Sequence, residues 1–84
     1  MWTIELSRDA MKALLRMPRD QARRIRARLN DLARDPHNMP NVKKLIEHPG
    51  FRLRVGDWRV VYLLDGQRIV IQVIRIAQRG EVYR

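Results

Sequence analysis

The stretch FRLRVGDWRVVYLLDGQRIVIQVIRIA, residues 51–77, decides the fold of this 84-residue chain. At its start apolar residues alternate with arginines, which predicts a strand with one buried face. Gly56-Asp57 predicts a tight turn into a second strand, Trp58–Leu64, and Asp65-Gly66 is a strong hairpin signal. Residues 68–77 are apolar on both faces, which is typical of a central strand. The stretch therefore predicts three consecutive strands of a mainly antiparallel sheet.

The residues before this stretch predict a strand followed by a helical hairpin. Residues 2–6 alternate apolar and polar side chains, and Ser7 stands where a helix N-cap is expected. Pro18 ends the first helix and suits the start of a second one over residues 18–33, whose apolar residues form one stripe. Residues 35–41 are a loop, and residues 42–46 are a short ordered piece. We expect a single α+β domain, residues 1–84, of order β-α-α-β-β-β, with the helices on one face of the small sheet.

The residue types exclude several classes of site. The chain has no cysteine, one serine, one threonine and two histidines, His37 and His48. A thiol nucleophile, a Ser-His-Asp triad and a protein-only metal site are therefore not expected. No glycine-rich phosphate loop occurs, so we predict no cofactor. No apolar run is long enough to span a membrane and the N-terminus has no secretion signal, so we expect a cytoplasmic protein that does not bind membranes.

The charge points to a polyanionic partner. Lysine and arginine total 18 against 9 acidic residues, which gives a net charge of +9, and the sequence pI is about 11.4. Most of these cations are arginines, whose planar guanidinium matches phosphate and carboxylate oxygens. Nucleic acid is the usual partner of so basic a domain. A high-GC genome would also enrich arginine, but it would scatter the residues rather than concentrate them.

The strands are predicted to concentrate cations on the sheet face that the helices leave open. Arg52 and Arg54 share one strand face because they are two positions apart. The other candidates follow along the chain: Arg59, Arg75, Arg79 and Tyr83, with Lys43 and Lys44 before the first of these strands. Such a cluster with one phenol is suited to gripping a phosphate and stacking a base. The helical arginines Arg19, Arg23, Arg26 and Arg34 are expected to be solvated or to face a partner.

This segment resembles the C-terminal half of a bacterial RelE/ParE superfamily toxin of toxin–antitoxin systems. The resemblance rests on a K-x-L before a loop, a [FY]-R-[LI]-R-x-G-x-[WY]-R-[VL]-[VI]-Y strand pair, a hairpin, an apolar strand, and an arginine followed by V-Y. The predicted order of elements is that of the family, so the likeness covers the whole chain. It implies a RelE-like fold.

RelE-type members are ribosome-dependent messenger RNA endonucleases, and the resemblance implies attack of a ribose 2′-hydroxyl on the adjacent phosphate. By position, Arg52 and Arg59 would neutralise charge, Arg79 would hold or protonate the leaving oxygen, and Tyr83 would orient the nucleotide. Arg54 matches a further basic residue, which is a lysine in the best-studied form. Because guanidinium is a poor base near pH 7, the resemblance leaves the general base unassigned. Gln78 stands where many relatives have histidine.

Two alternatives stay open. A ParE-like toxin of the same fold would inhibit DNA gyrase by binding it, and would not need the cationic sheet face. A plain RNA-binding or interaction module would keep the cations and lack catalysis. In the toxin interpretation the expected partners are an acidic, RelB-like antitoxin, the ribosome and messenger RNA.

Overall fold

The computed structural model describes residues 1–80, in which two helices pack against a five-stranded sheet. The elements are β1 Thr3–Leu6, α1 Arg8–Arg16, α2 Arg19–Arg34, β2 Val42–Lys44, β3 Phe51–Val55, β4 Trp58–Asp65 and β5 Val70–Gln78. The predicted α+β class and order of elements are confirmed, with one strand added. Neither helix is long and apolar enough to cross a membrane.

The sheet has the strand order β1-β5-β4-β3-β2. β1 pairs in parallel with β5, and the other neighbours are antiparallel. The helical hairpin makes the parallel pairing possible, because it carries the chain from the edge strand β1 to the far side of the sheet. The doubly apolar stretch near the C-terminus is β5, which lies between β1 and β4 as predicted.

Two local expectations needed correction. The short ordered piece over residues 42–46 is a strand over Val42–Lys44, which pairs with Phe51–Leu53 at the sheet edge. Three residues are too few to show a period of two, so pairing rather than sequence pattern defines this strand. The hairpin after β4 has four turn residues, 66–69, so its return strand begins at Val70 instead of at residue 68 as predicted. The Asp65 side chain accepts a hydrogen bond from the Arg68 amide at 3.1 Å and closes this turn.

Ser7 joins the first helix to the centre of the sheet. Its hydroxyl oxygen accepts a hydrogen bond from the Ala10 amide at 3.1 Å, which confirms the predicted N-cap. The same hydroxyl donates to the carbonyl oxygen of Ile74 at 2.8 Å. Pro18 precedes α2 as its N-cap residue rather than lying inside it, one position from the predicted start. These contacts fix the helical hairpin against β5.

The helices cover one face of the sheet. Ile25, Leu29 and Leu32 of α2 pack in one cluster with Leu53 and Val60 of the sheet. The Trp58 indole also donates to the Gln21 side chain at 2.8 Å, which links β4 to α2. Because side chains alternate along a strand, the neighbours of these core residues point to the opposite face. That face is the one left open.

A bulge changes the open face near the middle of β5. Val61 pairs with Arg75, whereas the next residue of β4, Tyr62, pairs with Val73, so Ile74 is an extra residue on β5. Ile74 packs against a small second cluster of Val61 and Ala77. The open face is therefore not purely cationic, because it carries a short apolar strip beside the arginines.

Candidate nucleic-acid interface

Strand register places the predicted strand cations in two rows on the open face. Residues directly opposite each other in antiparallel strands share a face. The first row crosses four strands and contains Lys43, Arg52, Val61 and Arg75. The second row contains Arg54, Arg59 and Ala77. Lys44 is the next residue of the edge strand and pairs with Phe51, so its side chain points to the face opposite that of Lys43.

Arg59 is the centre of the cationic cluster. Partial burial lowers its pKa, and the nearby charges of Arg52, Arg79 and Arg54 lower the pKa further, while Asp57 opposes the shift. Three guanidinium groups therefore lie close enough to repel a fourth. A bound anion would relieve this repulsion, so the cluster is suited to a phosphate.

Hydrogen bonds to backbone and side-chain oxygens orient two of these guanidinium groups. The Nη1 of Arg59 donates to the carbonyl oxygens of Gly56 and Trp58, at 3.0 Å each. The Nη2 of Arg54 donates to the Asn41 side chain at 3.1 Å. The Arg79 amide donates to the Asp57 carbonyl at 2.7 Å, which ties the end of β5 to the β3–β4 turn. Toward the described part of the chain, the remaining guanidinium N–H groups of Arg59 make no hydrogen bond, so they can serve a ligand.

A cavity of about 690 Å³ gathers these arginines at the end of the sheet. We call it the arginine pocket; its lining residues are Arg24, Ala27, Arg28, Asn41, Arg54, Val55, Gly56, Asp57, Arg59 and Arg79. Arg24 and Arg28 come from α2 and were not predicted as site residues. Their spacing of four, on one flank of the apolar stripe, was the available signal.

A second cavity, of about 780 Å³, lies against the edge strand β2. We call it the β2 cleft; its lining residues are Lys43, Lys44, Leu45, Ile46, Glu47, His48, Arg52, Val61, Ile74 and Arg75. The structure thus divides the predicted cations between two cavities. Arg54, Arg59 and Arg79 line the arginine pocket, whereas Arg52 and Arg75 line the β2 cleft together with the two lysines.

Tyr83 lies outside the described residues. The other tyrosine, Tyr62, is fully buried in the helix-facing core and stacks on Phe51 with ring centroids 5.6 Å apart. It therefore contributes nothing to the open face. Gln78 is exposed at the end of β5.

His48 is the histidine nearest to the cations, and its ring is already engaged. Its Nδ1 accepts a hydrogen bond from the Gly50 amide at 2.8 Å. A neutral imidazole that accepts at Nδ1 carries its proton on Nε2, so its other nitrogen is a donor and not a base. Within residues 1–80, no three His, Asp or Glu side chains are grouped so that they could hold a metal ion. The arrangement can neutralise and position a phosphate.

A comparison with protein-family models identifies the family of this chain. The model of the ParE toxin of type II toxin–antitoxin systems matches residues 4–83. The chain belongs to this toxin family. It is a RelE/ParE superfamily toxin with a RelE-like fold. A comparison with curated proteins finds no match.

Solved structures of RelE toxins superpose on this RelE/ParE toxin over nearly its whole length. A RelE–RelB complex from Pyrococcus horikoshii matches at 26% identity with a TM-score of 0.82, covering 96% of this chain and 98% of the other. A RelBE complex from Mycobacterium tuberculosis matches at 22% identity and a TM-score of 0.81, covering 93% and 98%. The RelBE complex from E. coli matches at 18% identity and 0.81, covering 96% and 99%.

Proposed function

We propose that this toxin is a metal-independent endoribonuclease that cleaves messenger RNA on the ribosome. The observation that carries the proposal is the convergence of cations on Arg59. Arg54 pairs with Arg59 across β3 and β4, Arg79 lines the same cavity, and the charge of Arg52 also acts on Arg59. Four mutually repelling cations at one point favour a ligand with concentrated negative charge, which a phosphate has and a neutral protein surface lacks. A phosphate, in contrast, is stabilised more strongly as its negative charge grows in the transition state.

In the proposed reaction, the 2′-hydroxyl loses its proton to water and its oxygen bonds to the adjacent phosphorus, while the bond from phosphorus to the 5′-oxygen breaks. The leaving 5′-oxygen takes up a proton from water. The products are a 2′,3′-cyclic phosphate and a 5′-hydroxyl end. Arg52 and Arg59 neutralise the phosphate oxygens, and Arg79 donates a hydrogen bond to the leaving oxygen. By family resemblance, Tyr83 orients the nucleotide. Arg54, held by Asn41, contributes charge rather than accepting a proton.

The ribosome enters the proposal through positioning. Within residues 1–80 the arginine pocket offers five guanidinium groups and one carboxylate, that of Asp57, so it supplies mainly charge. Alignment of the 2′-hydroxyl with the scissile bond then falls to the ribosome. We expect free RNA to be cut slowly and ribosome-bound messenger RNA quickly.

Purified toxin added to ribosomes stalled on a defined messenger RNA should cut within the codon at the decoding site. The matched control is the same message with a single 2′-deoxy nucleotide at the cut position, which lacks the nucleophile and should stay intact. Primer extension maps the cuts. Cleavage of the deoxy message at an equal rate would contradict the mechanism.

DNA gyrase inhibition is the second candidate function, and the ParE description of the matching family model favours it. The same toxin preparation can be tested for gyrase-dependent DNA breaks. Breaks without any cut in messenger RNA would replace the ribonuclease proposal with this one.

We further propose an acidic antitoxin as partner, supported by the toxin–antitoxin complexes among the structural neighbours. The β2 cleft suits such a partner because it combines cations with exposed apolar side chains. Protein interfaces need an apolar centre, which a bare phosphate backbone does not supply. Ile46 at the cleft is 91% exposed.

Expression of the native operon should therefore yield the toxin together with a small acidic protein, in near-equal amounts. Ile46→Glu should reduce the recovered antitoxin by about tenfold, because it adds a repelling charge where apolar contact is expected. Leu15→Glu, on α1 and 74% exposed, is the control and should leave recovery unchanged. Quantitative affinity purification measures both. Recovery of the toxin alone would contradict the partner assignment.

A further inference from the structure

Arg24 lies next to the proposed catalytic cations without belonging to the sheet. Both terminal nitrogens of its guanidinium lie 3.8–3.9 Å from the position that a Cβ on Gly56 would occupy. On its other side, the carbonyl of Gly56 accepts a hydrogen bond from Arg59. One turn residue thus lies beside two guanidinium groups, one from α2 and one from β4.

The turn holds this arrangement for backbone reasons. Gly56 has φ = +59°, a conformation that residues with a side chain rarely adopt. A side chain here would be strained and would also occupy space beside Arg24. Glycine therefore lets the helix and the sheet present their cations to one cavity.

Arg24 has no ion pair among residues 1–80, although it is surrounded by like charge. Its neighbour Arg28, one turn along α2, pairs with Asp31. Ten residues of the described range 1–80 line the arginine pocket; five of these are arginines, and Asp57 is the one acidic residue among them. Apart from Arg28, none of these arginines has an ion pair within that part of the chain, and such a concentration of cations stabilises a bound anion.

The lining favours a nucleic-acid backbone over a protein partner. Of the described residues, Ala27 and Val55 alone contribute apolar side chains to the arginine pocket, whereas four of the ten that line the β2 cleft are apolar. A protein segment needs an apolar centre to bind stably. A phosphate backbone binds through charge and hydrogen bonds alone.

We propose that Arg24, supported by Arg28, binds the backbone phosphate of a nucleotide that flanks the scissile one in the RNA substrate. This inference rests on the proposed ribonuclease function, because it places the scissile phosphate at Arg59. The RNA strand then passes over the β3–β4 turn from the open sheet face to α2. Arg24 is a positioning residue that holds the strand and does not touch the reacting phosphate.

The test measures binding of a fluorescent, 2′-O-methylated single-stranded RNA of about ten nucleotides, which cannot be cut by 2′-hydroxyl attack. Arg24→Ala should weaken binding about fivefold to tenfold. It should also make the slope of log binding constant against log salt concentration shallower by about 0.7, the value for one lost phosphate contact on a single strand. Arg23→Ala is the matched control, since it removes the same charge from the adjacent exposed position. It should leave both quantities nearly unchanged.

Two parallel measurements separate the outcomes. The first is a titration of Arg59→Ala with the same RNA. If Arg59→Ala weakens binding while Arg24→Ala and Arg23→Ala bind RNA with equal affinity, the flanking contact is overturned and the proposed function stands. If neither Arg59→Ala nor Arg24→Ala weakens binding, both the flanking contact and the RNA site are overturned. A decaglutamate peptide tests the ligand class. An equal loss of affinity for peptide and RNA in Arg24→Ala would overturn the assignment to a phosphate.

Discussion

Replacing either Arg59 or Arg79 by alanine will lower the rate of messenger RNA cleavage by about 10²–10³, equivalent to roughly 2–4 kcal/mol of transition-state stabilisation. The reason is that each guanidinium gains binding strength as charge develops on the phosphate and on the leaving oxygen. Single-turnover cleavage on stalled ribosomes measures this loss separately from binding. The decrease should appear in the cleavage rate constant more than in the affinity.

The matched control is Arg26→Ala, which removes one charge from the flank of α2 away from the arginine pocket. It should change cleavage by less than about twofold, because long-range charge effects at the surface are screened by salt. Arg59 is half-buried rather than fully exposed, so thermal unfolding should be recorded for each variant. The double variant Arg59→Ala, Arg79→Ala could still cleave messenger RNA fully, while substitutions on the helices abolish toxicity in a protein that remains folded. That pair of results would instead place the function on a protein-binding helix surface.

Strongly alkaline solution will destabilise the toxin through Tyr62. Burial raises the pKa of this phenol to about 12, against an ordinary value of 10.0. Below pH 10 the phenol is neutral in both the folded and the unfolded chain. Between pH 10 and 12 it ionises only in the unfolded chain, so the free energy of unfolding falls as pH rises. A difference of about two pKa units corresponds to roughly 2–3 kcal/mol lost by pH 12.

Tyr62→Phe should remove this alkaline loss. At neutral pH the variant should be as stable as the parent or about 1 kcal/mol more stable, because the buried hydroxyl has no hydrogen-bond partner within residues 1–80. Urea unfolding at a series of pH values measures both effects. The two tyrosines of the chain can be separated in a Tyr83→Phe background, where absorbance titration reports Tyr62 alone. A midpoint near 10 there would contradict the burial argument.

Local patterns predicted most of the fold because its elements are strongly amphipathic. The period of two in residues 51–55 and the helical stripe ending at Ala33 correspond to β3 and α2. The Ser7 cap also follows from sequence alone, since a short hydroxyl side chain before a helix satisfies a free amide. β2 escaped prediction because a three-residue edge strand is defined by its partner, Phe51–Leu53.

The candidate site shows the same division between local pattern and tertiary contact. Alternation alone puts Arg52 and Arg54 on one strand face, and the predicted hairpin brings Arg59 to the neighbouring strand. Nothing local shows that Arg24 of α2 reaches the β3–β4 turn, because that contact depends on how the helix packs across the sheet.

The sequence by itself thus determined the α+β class, the element order and an excess of arginine on one sheet face. Those properties follow from side-chain periodicity and charge, which are local. Only the tertiary structure decided that the cations divide between the arginine pocket and the β2 cleft. It also decided that a bulge at Ile74 places an apolar strip beside the second of these cavities. Strand register, helix packing and burial depend on contacts between residues that are far apart in the sequence. Local patterns therefore cannot predict them, and they are defined only in the folded chain.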